Sequence, residues 1–190
     1  MAALRSASRW ATSPFLAIYD RSCHISRILW SRARRSIGGM QLKTLFDRPT
    51  VVEIKQRLSA LHPGSDRIFG KMDVAQALAH CSAGMEMALG DTLPPRVLIG
   101  RLIGPLFRSA YSNEKPMQPG SPTHPSLIVR DQRDFARERE RLGGLVDRFS
   151  VAGPEGCTSH PHPFFGKLTP AEWGTGMYKH LDHHLRQFGV

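Results

Sequence analysis

Residues 169–190 read TPAEWGTGMYKHLDHHLRQFGV, and this stretch decides the fold. Thr169, Pro170 and Glu172 open it. A threonine N-cap, a proline in the first helical position and a glutamate in the third make a capping box. At about 100° per residue, Trp173, Met177, His180, His184, Gln187 and Phe188 fall within about a third of the helix circumference. His180 and His184 lie near the centre of that stripe, one turn apart, so their rings can reach a common point. Imidazoles on an apolar face are costly unless something satisfies them, and a metal ion does so well. His183 lies about 60° off the line, on the flank.

Working outward, the same helical grammar recurs. Thr50 and Glu53 predict a second capping box, opening a helix over residues 50–61 with Val52, Ile54, Leu58 and Leu61 inward. Asp73 and Gln76 predict a third, for a helix that runs to Leu89 and stops at Gly90. Its apolar face holds Ala77, His80, Cys81, Gly84 and Ala88. Residues 91–125 read as a long connection with one apolar segment, residues 97–111, broken at Pro105. Residues 130–149 form another long helix, with Phe135, Leu142, Leu145, Val146 and Phe149 inward and Glu138 and Glu140 on a solvated face. Gly143 and Gly144 weaken its last turns. Residues 150–168 are a loop that leads into the opening helix. The expectation is an all-α fold: a four-helix bundle with a long crossover connection between helices two and three.

Composition sets limits on function. A chain of 190 residues suits one domain, here residues 40–190, with a tail. No run approaches the 18 or so apolar residues of a transmembrane helix, so no membrane partner is expected. The three cysteines, Cys23, Cys81 and Cys157, form no CxxC pair, which points to a reducing, cytoplasmic setting. The net charge is +10, but residues 1–39 hold seven arginines and one acid. A nucleic-acid reader holds its charge on the folded face, so this distribution argues against that class, with nucleic-acid binding through the Arg-rich tail kept as an alternative. Residues 1–39 read as a basic, disordered extension, as a transit peptide, or as sequence upstream of a true start at Met40.

Nine histidines are many for this length. One reading takes His80, His180 and His184 as three ligands to one divalent metal, the count that leaves positions open for water or substrate. The alternative is that each histidine is a satisfied core or surface residue. No glycine-rich phosphate loop, GxSxG or HExxH motif competes with it. His160, His162 and His183 are candidate catalytic bases. The ligands must be neutral, so metal occupancy is expected to fall below about pH 6.5.

The segment HPFFGKLTPAEWGTGMYKHLDHHLRQFGV, residues 162–190, together with MDVAQALAH around His80, resembles the DinB/YfiT-like superfamily. Within it the chain looks most like a bacterial branch labelled as a domain of unknown function. The resemblance covers residues 40–190, with Met72 where relatives often have tryptophan. It implies a four-helix bundle whose His80, His180 and His184 bind zinc, nickel or iron. It further implies a metal-dependent hydrolase or a transferase of a low-molecular-weight thiol, acting on a small molecule, with a homodimer as one possible assembly. A stress-linked protein with a structural or vestigial metal is the non-enzymatic alternative.

Overall fold

The computed structural model describes residues 42–121 and 123–190. The expectations for residues 1–39 and for a start at Met40 lie outside the described residues. Among those described there are five α-helices and no strand: α1 (Arg48–Ala60), α2 (Val74–Leu89), α3 (Leu98–Ser112), α4 (Phe135–Ala152) and α5 (Pro170–Gln187). The all-helical expectation holds.

Two of the three expected capping boxes form. Asp73 accepts from the Gln76 amide while the Gln76 side chain accepts from the Asp73 amide. Thr169 and Glu172 make the same reciprocal pair at the start of α5. The box at Thr50 does not form. Helix α1 starts two residues earlier, with Pro49 in its first turn, and Thr50 is buried inside it. Glu53 turns to Lys43 and Arg57 instead. The inward set shifts with it: Val51 is buried and Val52 is exposed.

The largest departure is in the connection. The apolar segment expected to break at Pro105 is one continuous helix, α3. Pro105 and Arg101 both face solvent, so the carbonyl that loses its donor can turn to water. The inner face of α3 is bare backbone. A Cβ on Gly104 would stand 1.9 Å from the Phe164 carbonyl oxygen, and one on Gly100 would stand 2.7 Å from the Phe164 Cα. The loop of residues 153–169 therefore lies directly on this helix. Its outer face keeps Leu98, Leu102 and Leu106 more than three-quarters exposed.

Helix α4 begins after the Asp134 cap rather than at residue 130, and it runs through Gly143 and Gly144 to Ala152. Glu138 is not on the solvated face. It is buried and accepts from Arg141, with Arg133 beside it. A buried carboxylate needs such partners to remain charged.

Helix α2 packs along α4, α1 packs on α4 and α5, and α5 lies between α3, α2 and α1. Trp173, Met177, Leu181, Leu185 and Phe188 form the line of α5 that enters the shared core, with Ile54, Met85, Leu142, Val146 and Phe149 facing it. Phe46 stacks on Phe149 at 5.2 Å. The apolar stripe of α5 is therefore rotated from the expected one. His180 and His184 sit beside it, half-buried, on the side that meets α2.

Candidate metal centre

Helix α2 supplies His80 and α5 supplies His180 and His184, and the three rings close a triangle. Ring centroids stand 4.8 Å apart for His80 and His180, 4.9 Å for His80 and His184, and 5.0 Å for His180 and His184. One nitrogen from each ring lies within 4.8 Å of the other two, a group able to hold a metal ion. The His80 and His180 Nε2 atoms face each other at 2.9 Å. This close approach of the helices depends on Gly84, whose added Cβ would meet the His180 ring at 3.0 Å. Gly84 thus makes room for the His180 ring.

Hydrogen bonds on the far sides of the rings fix the tautomers. His80 Nδ1 lies 2.8 Å from the Leu127 carbonyl oxygen, which can only accept. His80 therefore carries its proton on Nδ1 and turns a bare Nε2 inward. His184 Nδ1 lies 2.8 Å from the Gln187 Oε1, with the same consequence. The bare Nε2 atoms of His80 and His184 thus turn toward the cluster, and His180 Nε2 lies 2.9 Å from that of His80. Ligand histidines characteristically donate their other nitrogen to a carbonyl or carboxylate, and these do. The donor set fits a borderline divalent metal such as zinc.

Burial keeps the cluster uncharged. It lowers His80, against the opposing pull of the Leu127 carbonyl. It sets His180 well below the ordinary imidazole value, with His80 and His184 adding to the effect. It brings His184 to about 3, with His80 the next cause. Neutral imidazoles are the form a metal needs.

The candidate bases fall elsewhere. None of His160, His162 and His183 joins the metal group. His162 Nδ1 accepts from the Phe164 and Phe165 amides at 3.1 and 3.2 Å, and its ring packs against Tyr111, Phe165 and Trp173. It pins the loop, and burial lowers it to about 3. His183 is not on an open flank: it is buried, 3.2 Å from the Met117 carbonyl, with Phe69 and His184 on its ring. His160 has a buried Nε2 with no hydrogen-bond partner among the described residues. Burial also pushes the Cys81 thiol up and Cys157 to about 11, which leaves no activated thiolate at either.

Sequence reading missed the outer partners. Gln187 sits three residues after His184 on the same face, a spacing that allows the bond. Leu127 and Met117 act through backbone carbonyls, which no side-chain pattern announces.

Residues 45–189 match the family described as "Protein of unknown function (DUF1569)", and the chain belongs to that family. No curated protein and no solved structure matches it.

Proposed function

We propose that the chain is a metal-dependent enzyme of DinB-like type, in which His80, His180 and His184 hold one divalent ion. The observation that carries this reading is the pair of hydrogen bonds on the far sides of the His80 and His184 rings. Leu127 and Gln187 draw the Nδ1 protons of His80 and His184 outward, so the inward nitrogens are free to ligate. In this reading α1, α2, α4 and α5 make the four-helix bundle, supported by the contacts of α2 and α1 with both α4 and α5. Helix α3 then occupies the crossover.

When bound, the ion would supply Lewis acidity and lower the pKa of a water or thiol toward neutrality. The three histidines, all neutral, offset none of its charge and so favour an anionic ligand. Gly84 on the buried α2 face holds His180 in place. A hydrolysis or the transfer of a low-molecular-weight thiol to a small electrophile is the chemistry such a site suits.

One observation favours the non-enzymatic alternative: His162 is already committed to loop amides and His183 to Met117. A screen of ester, amide and thiol-transfer substrates with protein purified without a histidine tag, loaded in turn with zinc, nickel and iron, separates the two. Metal-dependent turnover lost in His180→Ala supports the enzyme. Tight metal binding with no turnover on any substrate supports the structural role.

A further inference from the structure

We propose that Gln187 is a positioning residue for this centre: its side-chain oxygen locks His184 in the Nδ1–H tautomer, and the Met72 carbonyl in turn sets the orientation of the Gln187 amide. The inference rests on the metal reading for its purpose, but its geometry stands by itself.

Gln187 is among the most buried polar side chains described, at 1 % exposed. A carboxamide presents an acceptor on one side and a donor on the other, so its rotation decides what a neighbour must be. Its Oε1 lies 2.8 Å from His184 Nδ1, and its Nε2 donates to the Met72 carbonyl at 3.5 Å. If the amide were flipped, Oε1 would face the Met72 oxygen, two acceptors together, and Nε2 would face His184. Then His184 would have to accept on Nδ1 and carry its proton inward on Nε2, where it would block ligation.

The segment around Met72 is held to the same residue. The Ile68 amide donates to the Gln187 carbonyl at 2.7 Å. Gly70, at φ +80°, approaches so closely that a Cβ there would stand 2.7 Å from the Gln187 Nε2. The backbone of residues 68–72 thus forms the slot that keeps the amide from turning. His184 is the ligand nearest the chain end, on the last turn of α5, where helical hydrogen bonding alone constrains it least.

The tautomer is read directly in the full chain, metal-free and labelled with 15N-histidine, at pH 8. Long-range proton–nitrogen correlation distinguishes Nδ1–H from Nε2–H, and His184 is assigned by its loss in His184→Ala. Wild type is expected to show Nδ1–H. Gln187→Leu should lose that bias and bind zinc about ten- to a hundredfold more weakly, the usual cost of removing an outer partner. Gln187→Glu keeps an acceptor toward His184 Nδ1 and should restore the Nδ1–H tautomer, at a cost in stability because its second oxygen faces the Met72 carbonyl. Wild-type His184 protonated on Nε2 would overturn the proposal, as would a tautomer and zinc affinity unchanged in Gln187→Leu. If Gln187→Leu does not fold, the wild-type and Gln187→Glu spectra still decide it, since Nε2–H in either overturns it. The two readings fail separately. Absence of zinc binding with the Nδ1–H tautomer in place would retire the metal, whereas zinc binding with a free tautomer would retire the role of Gln187.

Discussion

Three imidazoles converge because each is held by something other than a metal. His80 is tied to Leu127, His184 to Gln187, and His180 is pressed against the backbone of Gly84. Replacing His80, His180 or His184 by alanine should each weaken zinc binding by more than the ten- to hundredfold that an outer partner commands. His183→Ala should leave zinc affinity within that range and mainly lower stability, since it removes a buried ring; competition with a chromophoric chelator checks both. His162→Ala should behave differently again. It orphans the Phe164 and Phe165 amides, each worth about 1–3 kcal/mol if left unsatisfied, so urea unfolding should register the loss while zinc stoichiometry stays at wild type. The pH response follows from burial. His80 and His180 lie below 6.5 and His184 at about 3, all because burial disfavours the charged ring. Below pH 6.5 the unfolded chain takes up these protons and the folded chain does not. Stability should therefore be full above about 6.5 and fall as pH drops toward 3, by up to about 1.4 kcal/mol per unit for each such histidine. Metal-free protein with an unchanged urea midpoint between pH 7 and 5 would contradict this. The expected loss of metal below 6.5 also moves to lower pH, because the folded ligands are already neutral there.

Helix α3 shows most clearly what lies between sequence and element. A proline at its midpoint and two glycines on one side argue for a break, yet the helix is continuous. Its glycines are used for close approach to the Phe164 backbone, and its proline faces water. Tertiary packing, which no local pattern encodes, decides the matter. By contrast the Asp73 and Thr169 boxes were legible because each is closed by residues three apart on the same chain. The Thr50 pattern misled for the same local reason: Pro49 makes a start two residues earlier equally good. The histidine pair of α5 was legible from spacing. Which side of it meets the core was not, because the helix is covered on most sides, by α1, α2 and α3. Substitutions along these faces should separate accordingly. Gly176→Ala places a Cβ 1.9 Å from the Tyr111 ring and should cost about 1–3 kcal/mol as overpacking. Leu106→Ser, on the exposed face of α3, should change stability by less than about 0.5 kcal/mol. Thermal melts of the two variants side by side test the assignment of inner and outer faces.

At the scale of the whole molecule, the described helices supply their own core. Its first member among the described residues is Leu45, and α1 through α5 close around it. A chain beginning at Met40 should therefore melt within a few degrees of the full one, and non-cooperative unfolding would contradict that. Surface ion pairs such as Arg148–Asp91 and Lys55–Asp147 bind α4 to the end of α2 and to α1. They are exposed, so they contribute little against the core. What the whole arrangement achieves is to bring residue 80 beside residues 180 and 184, a hundred positions away in sequence, with the Nδ1 atoms of His80 and His184 turned outward to Leu127 and Gln187. Zinc titration of the full-length, tag-free, metal-free protein against a competing chelator tests this most directly, with the His80→Ala, His180→Ala variant alongside. The account predicts one zinc per chain in the wild type, and no binding above background in the double variant. Equal stoichiometry and affinity in the two would contradict it.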